Sequence, residues 1–152
     1  MIWTVFLTVV SGVITYVLGE LILKLFVEPV HETKRTIGQI SHSLIEYASV
    51  IANPGVRSKE VLEEVSRSLR RLSSQLHAHL RLVPLYGATA FVFRLPSRTE
   101  ILAASTALIG LSNGVFERGF EEQNADRVRI MCESLGIYRP EADRAPEEPS
   151  SR

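Results

Sequence analysis

The chain has 152 residues and a formal net charge of zero, because 17 basic and 17 acidic side chains balance. This balance gives no support to a generally basic nucleic-acid-binding protein, so we expect no nucleic-acid partner. The single cysteine, Cys132, excludes an intramolecular disulfide and fits a reducing compartment. No partner base is visible around Cys132 in the sequence, so we interpret this residue as a half-buried helix position rather than a nucleophile.

The N-terminal segment is the most apolar part of the chain. Its first nineteen residues contain no charged side chain, and apolar positions continue past Glu20 to Val27. An α-helix rises about 1.5 Å per residue, so about twenty residues cross the roughly 30 Å hydrocarbon core of a bilayer. A buried core helix is disfavoured because the run is apolar all round, and a signal peptide because no Lys or Arg precedes Lys24. We therefore predict that residues 1–27 form a retained transmembrane anchor.

The flanks of this segment predict its orientation. Lys24, Lys34 and Arg35 follow the apolar run, whereas only the α-amino group precedes it. The positive-inside rule then places the N-terminus outside and the C-terminal domain in the cytoplasm. We therefore expect the membrane to separate the N-terminus from the C-terminal domain.

The apolar segment also carries a candidate contact face. Small side chains four residues apart let two membrane helices approach closely. We therefore expect the lipid bilayer as one partner and a homo-oligomer through the membrane helix as a second candidate. The small residues of this face are Ser11, Thr15 and Gly19.

Residues 28–137 are long enough for one domain with a modest core, and we predict a cytoplasmic all-α bundle of about four helices. Pro29 predicts a break or kink where the membrane helix ends and the next helix begins. Apolar positions then recur at intervals of three and four from Ile37 to Ile51, which predicts one helical stripe. The segment Asn53–Gly55 contains a proline and is expected to end that helix.

The next predicted helix starts at Ser58, a good N-cap, and ends before Pro84. Its apolar stripe runs from Leu62 to Val83 and favours antiparallel packing against the preceding helix. The helix also carries a candidate basic surface that would face an anionic leaflet, an acidic partner or nucleic acid. The alternative is a solvated face with ion pairs to Glu63 and Glu64. The candidate basic residues are Arg67, Arg70, Arg71 and Arg81.

The segment Leu85–Leu95 is strongly apolar but too short to cross a bilayer. Its composition is compatible with a short buried helix or with an amphipathic segment on the membrane surface. A strand is also allowed by the β-branched and aromatic residues, but no second strand is evident as its partner. We predict a short helix.

The last third of the domain has clear helix boundaries. Ser97 and Glu100 have the spacing of a capping box, and the following helix has small residues that favour a central position. This helix is expected to end at 112–114. Asn124 is predicted to cap a last helix, and Gly136 to follow its end. Residues 138–152 contain three prolines among charged and small residues, which predicts a disordered tail.

The sequence contains no metal-binding, phosphate-binding or nucleophile motif. Its histidines, at 31, 42, 77 and 79, show no ligand spacing for a closed metal site. We expect no catalytic residue, metal or cofactor. The preferred hypothesis is a non-enzymatic interaction or scaffold module at the cytoplasmic membrane face. The alternative is a small membrane-associated enzyme or lipid-handling protein that uses polar residues such as His42 and Glu46 in a bundle cavity.

Overall fold

The computed structural model describes residues 1–137, and the predicted disordered tail at 138–152 lies outside this range. The described part is all-helical and has no strand. Segments α1 and α2 form one continuous helix, Ile2–Glu46, so this part of the chain contains six helices. The helical segments are α1 (Ile2–Ile22), α2 (Glu28–Glu46), α3 (Ala48–Ala52), α4 (Lys59–Leu82), α5 (Tyr86–Phe93), α6 (Arg98–Gly114) and α7 (Glu121–Leu135).

A short π-helical segment, Leu23–Val27, joins α1 to α2. There the N–H of Glu28 bonds to the carbonyl of Leu23, five residues back. Pro29 lacks an N–H, and its ring crowds the carbonyl four residues earlier in a regular helix. The wider π turn just before Pro29 accommodates this ring. The predicted break at Pro29 is therefore not observed: one helix continues through Pro29, with a shift in hydrogen-bond register just before it.

The core of the bundle lies between α4 and α6, with α2 and α7 packed on the outer sides. The predicted stripe of α4 forms one wall of this core. Contacts at two levels fix the helix directions. Ser73 Oγ donates to the carbonyl of Ser105 at 3.0 Å, and Arg70 Nη2 donates to Asn113 Oδ1 at 2.8 Å. Beyond the end of α2, the N–H of Gly55 donates to the carbonyl of Val115, next to the end of α6, at 2.9 Å. In the first half of α2, Thr36 Oγ1 lies 3.0 Å from His79 Nε2 near the end of α4. Helix α4 therefore runs antiparallel to α2, as predicted, and also antiparallel to α6. The fully buried apolar side chains of this core include Ile40, Leu69, Leu76, Ile101, Leu108, Leu111 and Met131.

Helix α6 begins with the predicted capping box. The N–H of Ser97 donates to Glu100 Oε2 at 2.6 Å, and the N–H of Glu100 donates to Ser97 Oγ at 3.3 Å. Because the carboxylate accepts this backbone hydrogen bond, the pKa of Glu100 is lowered. The helix ends at Gly114, within the predicted boundary. A Cβ at Gly114 would collide with the side chains of Asn124 and Arg127, so this glycine allows α7 to approach closely.

Two further predicted boundaries are wrong. The single helix expected up to Ile51 is interrupted at Tyr47, whose φ and ψ of −96° and 11° leave the helical region. The new direction of α3 buries both Val50 and Ile51 and brings this short helix against α7.

Asn124 was expected to cap the last helix, but α7 begins earlier, at Glu121, and Asn124 is fully buried inside it. Its Nδ2 donates to the carbonyls of Ile51 at 3.3 Å and Gly114 at 3.2 Å. These carbonyls lie in the last turns of α3 and α6, where helices leave acceptors without intrahelical partners. Asn124 therefore satisfies the ends of two other helices. The expected C-terminal glycine is present, with Gly136 in the left-handed region at φ 64°.

Candidate membrane-contact and interaction surfaces

Helix α1 is the one helix in residues 1–137 that is long and apolar enough to cross a membrane. None of its 21 residues is buried, so it makes no core contact with the rest of the described chain. Its predicted small-residue face is open: no heavy atom would lie within 4 Å of a Cβ at Gly19. Thr15 Oγ1 donates to the carbonyl of Ser11 at 2.9 Å, which satisfies the hydroxyl within the helix. The hydroxyl of Thr15 therefore needs no partner outside the helix, which suits close helix packing in lipid.

The end of α1 carries a pair of opposite charges. Lys24 Nζ lies 2.8 Å from Glu20 Oε1, one helical turn earlier. Lys34 and Arg35 follow on α2, and both are exposed. The basic residues that predict the orientation therefore lie together on the bundle side of α1.

The four arginines of the candidate basic surface have different environments. Arg70 donates from Nη2 to Asn113 Oδ1 at 2.8 Å and from Nε to Ser112 Oγ at 3.3 Å. It therefore connects α4 to the end of α6. Arg67 and Arg71 are exposed next to it, whereas Arg81 is exposed near the other end of α4. A single strip through all four does not form, because Arg70 is bound to α6 and Arg81 lies about 15 Å farther along the helix.

The alternative prediction is that these arginines pair with Glu63 and Glu64. Glu63 instead pairs with a lysine of the same helix. Glu63 Oε1 lies 3.8 Å from Lys59 Nζ, one turn before it. Both side chains are largely exposed, so this pair contributes little to stability. The exposed Arg67 and Arg71 thus remain candidates for contact with an anionic surface.

The histidines do not gather into a site. His42 Nε2 lies 3.8 Å from Glu46 Oε2 on the exposed side of α2, and His77 is exposed on α4. Among residues 1–137, no group of three or more His, Cys, Asp or Glu side chains is arranged to hold a metal ion. Cys132 is half-buried against the core, as its helical position predicted.

His79 has a packing role that the sequence did not indicate. Its Nε2 contacts the hydroxyl of Thr36, and its Nδ1 is buried without a hydrogen-bond partner. Burial lowers the pKa of His79, and the nearby charge of Glu32 opposes that shift. The neutral imidazole is therefore the form that the interface between α2 and α4 favours. The available sequence signal was the position of His79 beside the buried stripe of α4.

Helix α5 borders a surface groove with a volume of about 720 Å³. Tyr86 forms part of its floor and donates from its hydroxyl to the carbonyl of Pro96 at 2.7 Å. Burial raises the pKa of Tyr86, and the charge of Glu100 adds to that effect. The groove is lined by Leu85, Tyr86, Gly87, Ala88, Ala90, Phe91, Leu95, Ser97, Arg98 and Glu100. None of the histidines contributes to its lining.

No protein-family model, curated protein or solved structure matches this chain.

Proposed function

We propose that this chain is a single-pass membrane-anchored protein whose helical bundle acts as a non-enzymatic interaction or scaffold module at the cytoplasmic membrane face. The observation that carries the proposal is α1, an apolar helix with no buried residue that continues directly into the bundle. Its 21 residues correspond to about 31 Å, the thickness of a bilayer core. A helix of this composition needs an apolar surrounding, and residues 1–137 provide none.

The orientation follows from charge. Lys24, Lys34 and Arg35 lie on the bundle side of α1, and these residues favour the cytoplasmic side. The paired Glu20 and Lys24 sit where a helix leaves the hydrocarbon region, and both side chains are long enough to reach the headgroups. The N-terminus then lies outside and residues 28–137 lie in the cytoplasm.

The interaction role is supported by the surfaces of the bundle. An exposed apolar helix face, on α5, is present in addition to α1, and contiguous apolar surface is typical of contact sites. The enzymatic alternative needs a cavity that gathers His42 or His77 with a carboxylate. Both histidines instead lie on the exterior, away from the groove, so the interaction module is the better supported function.

Self-association through α1 is one form that this interaction takes. The small residues Ser11, Thr15 and Gly19 share a face, and no part of the described chain covers it. Close approach of two copies along this face gains van der Waals contact that larger side chains prevent.

Chemical crosslinking in native membranes tests the proposal. An amine-reactive crosslinker acts at Lys24, Lys34 and Lys59, which are all exposed. The full chain is expected to resist alkaline carbonate extraction and to give a crosslinked product containing a second copy or a defined partner. The chain without residues 1–27 keeps its core, because α1 buries nothing, and serves as the control.

The two forms separate the possible contacts. A product lost without residues 1–27 lies in the membrane, and one retained by both forms lies on the bundle. For self-association, Gly19→Ile is expected to reduce the crosslinked dimer, whereas Val17→Ile on the opposite face is not. The proposal would be contradicted if alkaline carbonate released the full chain from the membrane, or if no crosslinked product formed.

A further inference from the structure

The position of α5 relative to α1 follows from the helix directions. The contact between Thr36 and His79 places the C-terminal end of α4 beside the N-terminal half of α2. With a rise of about 1.5 Å per residue, Leu82 lies about 4 Å and Glu28 about 12 Å nearer α1 than this contact. The chain that leaves α4 therefore enters the end of the bundle that joins α1.

Helix α6 begins at the same end of the bundle. The hydrogen bonds Ser73–Ser105 and Arg70–Asn113 make α6 antiparallel to α4. Arg98, at the start of α6, therefore lies at the same end as Leu82. The hydroxyl of Tyr86 bonds to the carbonyl of Pro96 and fixes α5 across this end. Helix α5 is thus held between the end of α4 and the start of α6, on the side of the bundle nearest α1.

One face of α5 is buried and the other is apolar and exposed. Tyr86, Thr89 and Ala90 are buried. The opposite side carries large apolar side chains with exposed fractions of 77% for Leu85, 87% for Phe91 and 69% for Val92. The exposed Ala88, Phe91 and Val92 are spaced at three and four residues and so share one helix face. Leu85 directly precedes α5 in a left-handed conformation at φ 46° and adds its exposed side chain next to this face. We call this surface the α5 patch: Leu85, Ala88, Phe91 and Val92.

The charges around the α5 patch are those of a membrane-surface helix. Arg94 ends α5, Arg98 follows at the start of α6, and Arg81 precedes α5; all three are exposed. The carboxylate at the groove, Glu100, is held in the capping box by the backbone of Ser97. Apolar residues flanked by basic ones are typical of helices that lie in the interface of an anionic leaflet.

We propose that α5 lies on the surface of the same bilayer that α1 spans. The α5 patch enters the boundary of the acyl chains, and Arg94 and Arg98 lie among the phosphates. Along the helix axes, Val27, where the apolar run of α1 ends, lies about 9 Å beyond Leu82, and α5 follows Leu82 at this end of the bundle. The inference rests on the proposed function, because it requires α1 to be inserted. It adds a second attachment point to the continuous helix formed by α1 and α2, and so fixes which side of the bundle faces the membrane.

Tryptophan fluorescence in vesicles tests the inference, since Trp3 is the only tryptophan of the chain. The full-length protein is reconstituted in vesicles of phosphatidylcholine and phosphatidylglycerol that contain lipid brominated near the headgroup end of its acyl chains. The unchanged chain reports on α1 through Trp3. In a Trp3→Phe background, Phe91→Trp reports on the α5 patch. In the same background, Phe116→Trp is the control, because residue 116 follows α6 at the opposite end of the bundle.

The expected result is that bromolipid removes most of the emission from Trp3 and from the tryptophan at 91, and little from the one at 116. Since Phe91 is 87% exposed, its replacement leaves the core intact, and circular dichroism checks this. Quenching of Trp3 without quenching at 91 would overturn the inference and leave the anchor in place. A blue-shifted but unquenched tryptophan at 91 would show a protein cover, such as a second copy, and would also overturn it. Failure to quench Trp3 would remove both proposals.

Discussion

Helices α1 and α4 have similar lengths, 21 and 24 residues, but place their apolar side chains in different ways. Helix α4 has one apolar stripe, which is buried against α2 and α6, and a charged outer face. Helix α1 is apolar on every side and buries none of its residues. The first is stabilised by its own chain, whereas the second has no partner within residues 1–137. This difference indicates that the two helices have different surroundings: water around α4 and, as we propose, lipid around α1.

A pair of leucine truncations gives the largest expected contrast. Leu69 of α4 is fully buried, so Leu69→Ala is expected to lower the free energy of unfolding of the bundle by about 3–5 kcal/mol. Leu21→Ala in α1 removes the same atoms from an exposed site and is expected to leave bundle unfolding unchanged. Urea titration of the detergent-solubilised protein, followed by circular dichroism, measures both. If both variants lowered the free energy of unfolding equally, α1 would have to pack on the bundle, and the contrast between α1 and α4 would be wrong.

An arginine placed on each helix tests these two surroundings directly. Val13→Arg puts a charge near the centre of the proposed span and is expected to disfavour insertion by about 3 kcal/mol. Val61→Arg on α4 places the same charge at a partly exposed position in water, where we expect little change. The fraction of each variant that resists carbonate extraction is the readout. A Val13→Arg variant that stays fully in the membrane fraction argues against a lipid-facing α1.

The buried hydrogen bonds of Asn124 in α7 test how much contacts between the bundle helices contribute to stability. Asn124→Ala leaves the carbonyls of Ile51 and Gly114 without their side-chain donor, so we expect a loss of about 1–3 kcal/mol in unfolding free energy. Gln123→Ala changes the exposed neighbour and is expected to have almost no effect. Thermal or urea unfolding of both variants gives the comparison. If the two variants are equally stable, Asn124 does not hold α3 and α6 together.

The two serine N-caps differ in a way that sharpens the account of the bundle helices. Ser97 makes a complete capping box, and Ser97→Ala is expected to cost about 1 kcal/mol of stability. Ser58 caps α4 without a side-chain hydrogen bond to its backbone, so Ser58→Ala is expected to cost less. Unfolding midpoints of the two variants are compared in the same detergent. A larger loss for Ser58→Ala would reverse this ranking.

The smallest expected effect is a pH dependence from His79. Burial lowers the pKa of His79 in the folded state below its ordinary value of 6.5. The unfolded chain then binds more protons below about pH 6.5, so this part of the stability is complete above that pH and declines as the pH falls towards the folded pKa. His79→Gln is expected to flatten the stability profile between about pH 7.5 and 5.5, whereas His77→Gln at an exposed site is not. An unchanged slope in His79→Gln would assign the dependence to another group.

The parts of the fold that depend on neighbours in sequence were predictable, and those that depend on distant contacts were not. The stripe of α4, the capping box of α6 and the glycine after α7 are local patterns, and all three are present. Asn124 was misplaced because its partners lie 73 and 10 residues away, and no local rule identifies them. The interruption at Tyr47 likewise follows from packing of α3 on α7.

The candidate surfaces likewise combine features that local sequence predicts with features that depend on distant contacts. The apolar run of α1 was visible as composition alone, and the sequence correctly indicated a helix within Leu85–Leu95. Composition could not show which face of α5 is exposed, because both faces are apolar. The different roles of the four arginines also depend on tertiary structure, since only Arg70 reaches α6.

Sided cysteine labelling tests the central claim most directly, which is that α1 crosses a membrane and holds the bundle on the cytoplasmic side. In a Cys132→Ala background, Ile2→Cys and Ser74→Cys each provide one exposed thiol, at the start of α1 and on α4. A membrane-impermeant maleimide added to intact cells is expected to label the thiol at residue 2 and to reach residue 74 only after the membrane is opened. Labelling of residue 74 in intact cells, or of neither thiol until the cells are opened, would contradict the account.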